Sequence, residues 1–175
     1  DALQYISYFH PMDYIRALAA AYEREVSPAA KDAMEQILSN SRMCAEGHRP
    51  ICQDTGIVTV FIKWGMDCRL DSPRSLQQVV DEGVRKAYLH PENKLRASIL
   101  ADPAFSRVNT MDHTPSVLNV EMVPGAKVVI DVAAKGGGSE NKSKFRMMNP
   151  SDSIVDWVLE MVPQMGAGWC PPGML

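Results

Sequence analysis

Three segments of the sequence interrupt its apolar patterning with residue types that could do chemistry. The first is Arg49–Gly56, which contains the run Cys52-Gln53-Asp54 and ends directly before a β-branched run. A thiolate binds metals, an amide makes hydrogen bonds in both directions, and a carboxylate transfers protons. The same residues would also suit a polar turn around a buried structural thiol, because a free cysteine often packs as a small hydrophobe.

The second segment, Lys135–Lys144, contains the glycine run Gly136–Gly138 and further lysines. Glycines allow backbone N–H groups to converge on an anion, and lysines add positive potential. The spacing matches neither the dinucleotide-binding fingerprint nor the P-loop. A solvated loop has the same composition, and a non-enzymatic anion-binding module that uses Gly136–Gly138 stays open as a function.

The third segment, Gly166–Gly173, holds Cys170 directly before two prolines. A cysteine followed by proline occurs in some loops that present a thiolate to an iron–sulfur cluster, although the dipeptide alone is a weak signal. The three segments are therefore separate candidates for metal, anion and proton chemistry.

Other arrangements of the same residue types are also open. Cys44, His48 and Cys52 recur at spacings of four, which a zinc site could use, but no Cys-x-x-Cys pair supports it. The triplet Asp54–Gly56 is the one that aspartic proteases place at a strand end, but Gln53 precedes it where those enzymes have an apolar residue. The remaining histidines have no companion at ligand spacing, so surface or capping roles are predicted for His10, His90 and His113.

Length and composition restrict the architecture that positions these segments. The chain has 175 residues, 46% of them hydrophobic and 22% charged, which predicts one self-sufficient globular core. The formal net charge of -3 gives no global attraction to nucleic acid or to an anionic membrane. No apolar run approaches the ~20 residues of a membrane span, and the few cysteines favour a reducing compartment. We therefore expect a soluble, cytoplasmic protein.

Helix signals and β-branched runs alternate along the chain. Helices are predicted behind Pro11, from Ser27-Pro28 to Gly47, from Ser72-Pro73 to Pro91, and from Ser151 and Asp152 to Pro163. The run Ile57–Ile62 lacks alternation, which is typical of a central strand covered on both faces. Strands at Val117–Val123 and Lys127–Ala134 are separated by a short loop and predict an antiparallel hairpin (117–134). The predicted class is α/β to α+β, with a mixed sheet covered by helices.

Taken in order, the motifs closely resemble those of the class I, iron–sulfur-dependent fumarate hydratases. The matching runs are Cys52–Gly56, Ala133–Ser143, Pro150–Ile154 and Met165–Gly173. The wider family of Fe–S hydro-lyases includes tartrate dehydratases with separate α and β chains, and this chain resembles the α-type region. The residues at 139–144 and 169–173 favour fumarase over tartrate dehydratase.

The resemblance implies a [4Fe–4S] cluster held by three cysteines, with one iron open to act as a Lewis acid. Cys52 and Cys170 match two ligands, whereas Cys44 and Cys68 do not match the third. We therefore expect residues 1–175 to be the N-terminal part of the α-type catalytic domain, without the third cysteine and the C-terminal domain. Such a fragment is expected to hold the cluster incompletely and to be inactive alone.

The resemblance also implies roles for individual residues. Gln53 and Asp54 match catalytic and substrate-binding positions, and Asp54 is the candidate for proton transfer. Arg96 matches an arginine that pairs with a malate carboxylate, and Gly136 matches a backbone contact to substrate. The implied activity is the reversible hydration of fumarate to malate in the tricarboxylic acid cycle, by a homodimer, with tartrate or another 2-hydroxydicarboxylate as the alternative substrate.

Overall fold

The computed structural model describes residues 1–92, 95–136 and 142–165. In chain order its elements are α1 (Ala2–Tyr8), α2 (Met12–Arg24), α3 (Pro28–Gly47), β1 (Ile57–Gly65), α4 (Leu76–Tyr88), β2 (Val117–Val123), β3 (Val128–Lys135) and α5 (Ile154–Gln164). A mixed three-stranded sheet with helices confirms the predicted α/β to α+β class. None of the described helices is both long and apolar enough to cross a bilayer.

The strand order is β2-β1-β3, with β1 parallel to β2 and antiparallel to β3. The central position of β1 is as predicted, but the predicted hairpin between residues 117 and 134 is wrong, because β2 and β3 pair with opposite sides of β1. Their connection crosses the end of β1, where Gly65 N donates to the Lys127 carbonyl at 2.9 Å. A Cβ at Gly65 would collide with the Gly125 carbonyl, so the crossing requires glycine there.

Only one face of β1 is covered in the described part of the chain. Val58, Val60 and Ile62 are buried, while Phe61 on the opposite face is 49% exposed. The described residues therefore do not provide the expected cover on both faces. A run of β-branched residues indicates that a segment suits a β-strand. It does not indicate whether one or both faces of that strand are covered.

The core lies between the covered face of the sheet and the helices α1 and α4. Its buried members are Leu3, Tyr8, Val58, Val60, Ile62, Val84, Ala87, Tyr88 and Leu95. At about 25 cal/mol per Å² of apolar surface, burial of such side chains is the main favourable contribution to folding. The sheet is thereby fixed against two helices whose ends lie next to the site described below.

Helix boundaries follow local capping chemistry. α2 and α3 form where the pattern predicts them, and the Ser27 side chain accepts a hydrogen bond from Ala30 N at the start of α3. α4 begins later than the predicted Ser72-Pro73, because Ser75 forms a capping box with Gln78. The cap of α5 is Ser153, whose Oγ accepts from Asp156 N at 3.2 Å, so neither Ser151 nor Asp152 has the predicted capping role.

α1 was not predicted from the sequence. Its seven residues are too few for helical periodicity to be recognised. It is held by tertiary contact: Leu3 and Tyr8 are buried, and Ile51 N donates to the Ser7 carbonyl at 2.9 Å.

Candidate active site

The candidate site lies at the edge of the sheet where β1 begins and β3 ends. Antiparallel pairing places Ile57 opposite Lys135. The motif Cys52–Gly56, directly before β1, therefore meets Lys135 and Gly136 at the end of β3. This pairing brings together two of the three segments that the sequence singles out.

The Cys52–Gly56 loop is shaped by its own polar groups. Asp54 N donates to Cys52 Sγ at 3.4 Å, and Gly56 N donates to Asp54 Oδ1 at 3.0 Å. The second bond is an Asx turn, in which an aspartate side chain satisfies the backbone two residues on. Gly56 has a φ of 65°, and a Cβ there would collide with the Lys135 carbonyl group. The loop therefore needs both Asp54 and Gly56 to pack against the end of β3.

Gly136 lies against the Asp54 carboxylate. A Cβ built on Gly136 would be 3.0 Å from Asp54 Oδ2, closer than ordinary van der Waals contact. The missing side chain thus keeps space open beside the carboxylate. The other glycines of the predicted anion-binding run, Gly137 and Gly138, lie outside the described residues.

Two cavities of about 270 Å³ each open on either side of Asp54 and Thr55. The first is also lined by Cys52, Lys135 and Gly136, together with residues at the end of α1. The second is also lined by Arg96 and Ser98. Asp54 thus stands between a thiol on one side and a guanidinium on the other.

Arg96 reaches this edge on an irregular segment, residues 95–99, that follows α4. Thr55 Oγ1 donates to the Arg96 carbonyl at 2.7 Å, which ties that segment to the Cys52–Gly56 loop. The Arg96 guanidinium donates to Ser98 Oγ at 3.4 Å, and within the described ranges it forms no ion pair with a carboxylate. Its charge is available to a bound anion.

Cys52 lies where it could hold a metal beside Asp54. Of the three cysteines that the structure describes, it is the one that lines the cavity beside Asp54. Asp54 N donates to its sulfur at 3.4 Å, and hydrogen bonds to cluster sulfurs tune the reduction potential of iron–sulfur clusters. The donor chemistry at Cys52 therefore fits a cluster ligand.

The other cysteines differ from Cys52 in position or lie outside the described residues. Cys44 is buried in α3, and burial raises the pKa of its thiol against a smaller lowering effect of Arg49. Cys68 follows β1 at the opposite end of the strand, where Cys68 N donates to the Gly65 carbonyl at 2.9 Å. Cys170, the second predicted ligand, is outside the described residues.

The zinc arrangement of Cys44, His48 and Cys52 is not assembled. His48 stacks on Tyr8 with ring centroids 5.6 Å apart, and Cys44 Sγ donates to the Pro50 carbonyl at 3.5 Å. Within residues 1–92, 95–136 and 142–165, no three histidine, cysteine or acidic side chains are grouped to hold a metal.

Gln53 is exposed beside the thiol, with its Oε1 3.4 Å from Cys52 Sγ. His10 lines the same cavity and is half-buried, with Nδ1 3.0 Å from Ser41 Oγ. Burial lowers the pKa of His10. The sequence predicted a surface or capping role for His10. It could not show this cavity position, because the packing of α1 against the sheet is not visible in a linear pattern.

Two further residues at this edge were also missed. Thr55 was noted only as part of a motif, yet it connects the loop to Arg96. His113 was predicted at the surface or in a cap, but the structure buries it completely. No periodic pattern surrounds His113 in the sequence, so no local signal could have revealed its burial.

The known proteins that resemble this chain are named as fumarate hydratases or tartrate dehydratase subunits. The family model described as Fumarate hydratase (Fumerase) matches residues 1–175. A protein of Methanocaldococcus jannaschii named "Putative L(+)-tartrate dehydratase subunit alpha" is 32% identical over 168 residues, which cover 93% of this chain and 58% of that protein.

Two relatives are named as fumarate hydratases. Fumarate hydratase class I, anaerobic, of Escherichia coli K12 is 26% identical over 93% of this chain and 30% of its own length. Fumarate hydratase 2 of Leishmania major is 28% identical over 95% of this chain and 30% of its own length. The chain thus spans less than two thirds of the length of each of these three relatives. Because the family model matches its whole length, the chain belongs to the fumarate hydratase (Fumerase) family.

Proposed function

We propose that this chain supplies one side of the active site of a hydro-lyase that adds water to fumarate and removes it from malate. The observation that carries the proposal is the position of Asp54, which lines both cavities, between Cys52 and Arg96. An elimination of water needs a base near the carbon that loses a proton and a cation near each carboxylate. Family membership supports the same reaction class.

Each residue has a task that its chemistry suits. The planar guanidinium of Arg96 binds a carboxylate through two parallel hydrogen bonds. Gly136 lets a substrate approach its backbone closely, and the exposed Gln53 amide hydrogen-bonds a substrate oxygen. The Asp54 carboxylate takes the proton from C3 of malate and returns it during hydration.

The implied cofactor is a [4Fe–4S] cluster. Cys52 would hold it from the cavity wall, and Cys170 is the proposed second ligand. When bound, such a cluster supplies a Lewis acid for the leaving hydroxyl group. We place residues 1–175 in the N-terminal part of the catalytic domain of a cytoplasmic homodimer, whose remaining cluster ligand and substrate cations come from elsewhere in the whole protein.

Tartrate is the second candidate substrate, because the Methanocaldococcus jannaschii relative is named as a tartrate dehydratase subunit. Tartrate differs from malate by one additional hydroxyl group. The residues at Asp54, Arg96 and Gly136 would serve both substrates, since both present two carboxylates and a hydroxyl group on C2.

An assay of the anaerobically purified full-length protein tests this proposal. We expect kcat/KM for malate and fumarate to exceed that for tartrate, because the sequence at residues 139–144 and 169–173 resembles fumarase more than tartrate dehydratase. The opposite order would identify a tartrate dehydratase. Bound iron with no turnover of fumarate, malate or tartrate would contradict the hydro-lyase proposal.

Replacement of Arg96 by lysine is expected to raise KM for malate and fumarate about tenfold while iron content stays unchanged. Lysine retains the charge but lacks the planar pair of donors. Steady-state kinetics and iron analysis measure both effects. The matched control is Arg69→Lys, because Arg69 is exposed and follows the opposite end of β1. An unchanged KM in Arg96→Lys would transfer the carboxylate-binding role to another cation.

A further inference from the structure

The segment that carries Arg96 lacks the hydrogen-bond ladder of regular secondary structure. Residues 95–99 belong to neither a helix nor a strand. Leu95 and Ile99 are buried at its ends, while Arg96 between them is exposed. The direction of the guanidinium therefore depends on how the intervening backbone is held.

Three side chains from other parts of the chain hold that backbone at consecutive residues. Thr55 Oγ1 donates to the Arg96 carbonyl at 2.7 Å, and Asn109 Nδ2 donates to the Ala97 carbonyl at 3.3 Å. Ser98 N in turn donates to His113 Nδ1 at 3.0 Å. These bonds replace the missing ladder with specific side chains.

His113 is the most buried of the three. It has no exposed surface, and its ring stacks on Tyr88 with centroids 3.7 Å apart and planes 12° apart. Tyr88 OH donates to the Thr55 carbonyl at 3.4 Å. The stacked pair thus contacts both the Arg96 segment and the Cys52–Gly56 loop.

The hydrogen bond from Ser98 N determines which ring nitrogen of His113 carries a proton. Because Nδ1 accepts from Ser98 N, the ring proton is on Nε2. Burial lowers the pKa of His113, against smaller raising effects of the Gly56 carbonyl and the Asp112 carboxylate. Nε2 makes no hydrogen bond of normal geometry among the described residues, but the Gly56 carbonyl still interacts with the ring as an acceptor.

The loop that contains His113 has three residues with left-handed backbone conformations. Arg107, Met111 and His113 have φ values of 52°, 66° and 64°. Side chains other than glycine adopt this left-handed region at a cost, and such residues cluster at functional sites. Arg85 Nε donates to Asp112 Oδ2 at 2.9 Å and anchors the loop to α4.

A residue needed only to fill this space would be apolar, because burial of an imidazole costs free energy that only hydrogen bonds to its ring nitrogens offset. The polar atom that His113 uses is instead committed to Ser98, two residues from Arg96. We propose that His113 is a positioning residue that fixes the direction from which Arg96 meets a substrate carboxylate. This inference rests on the proposed function, because it presumes that Arg96 binds that carboxylate.

The test compares three variants of the full-length protein. His113→Ala removes the acceptor, and His113→Gln places its amide too far along the side chain to replace Nδ1. In His113→Asn, Oδ1 takes the place of Nδ1, and asparagine tolerates positive φ. We expect the first two to raise KM for malate about tenfold, which is about 1.4 kcal/mol of binding free energy. Their kcat and iron content should change little, and His113→Asn should restore most of the wild-type KM.

The outcomes separate a positioning role from general support of the fold. If His113→Ala does not fold, the comparison of His113→Gln with His113→Asn decides. Lower thermal stability with unchanged KM in the alanine and glutamine variants would overturn the proposal, as would an equal rise of KM in His113→Asn.

A separate readout does not depend on activity. Amide hydrogen exchange at Ser98 should be faster in His113→Ala or His113→Gln than in His113→Asn. Unchanged exchange at Ser98 would overturn the inference even if the wild-type protein turned over no dicarboxylate. Absence of wild-type turnover with the expected exchange pattern would instead contradict the proposed function and with it the role assigned to Arg96.

Discussion

Replacement of Cys52 by alanine in the full-length protein is expected to remove the bound iron and to lower hydro-lyase activity about a thousandfold or more. Among the described cysteines, only Cys52 lines the cavity that also contains Asp54. A Lewis acid at the leaving hydroxyl group lowers the activation barrier by several kcal/mol. Each 1.36 kcal/mol changes the rate by a factor of about ten. Loss of a cluster ligand therefore has a far larger effect than loss of one hydrogen bond.

Iron and sulfide analysis after anaerobic reconstitution, together with electron paramagnetic resonance, measures the first effect. A fumarate hydration assay measures the second. The matched control is Cys68→Ala, because Cys68 lies at the opposite end of β1 and should be dispensable. Full iron content in Cys52→Ala, or loss of iron in Cys68→Ala, would contradict the assignment of the ligand.

The chemistry-bearing motifs are recognisable in the sequence because their residues are adjacent along the chain. Cys52, Asp54 and Gly56 lie within five positions, and the geometry of their loop is determined by bonds among themselves. The relation between this loop and Gly136 depends on strand pairing, which a linear pattern specifies poorly. Two apolar runs joined by a short loop indicate a hairpin unless a third strand competes for both partners.

The incorrect hairpin matters for the site. In the predicted hairpin, β3 would pair with the side of β2 that faces away from β1. Lys135 and Gly136 would then be two strand spacings from β1, or about 10 Å. Insertion of β1 between them removes that separation and places Gly136 against the Asp54 carboxylate. The parallel partner, β2, begins at the same edge, so the loop that contains His113 also reaches the site.

His113 shows a second kind of limit on sequence reasoning. Its burial results from a loop with three left-handed residues and from stacking on Tyr88 in α4. Neither feature produces periodicity, and an isolated histidine in a polar stretch is usually exposed. The residues that we propose to touch substrate could be found from motifs, whereas the residue that we propose to position one of them required the tertiary structure.

Replacement of Asp54 by asparagine is expected to lower kcat by about 10²–10⁴-fold, which is the usual contribution of a general base. Asparagine has nearly the same shape, and its Oδ1 can still accept the hydrogen bond that Gly56 N makes at 3.0 Å. The loop and Cys52, the proposed cluster ligand, should therefore keep their positions, and iron content should not change. The substitution removes proton transfer without removing the site.

Two measurements distinguish this role from a purely structural one. The exchange of the C3 proton of malate with solvent should slow in parallel with kcat, because both need the same base. The control variant Asp131→Asn, on the exposed face of β3, should behave as wild type. If Asp54→Asn kept the wild-type exchange rate and kcat, Asp54 would be limited to shaping the loop through Gly56, and the base would have to come from another part of the whole protein. If kcat fell and iron were lost together, the carboxylate would be acting on the position of Cys52. Slow exchange with full iron content is the result that requires Asp54 itself to carry the proton.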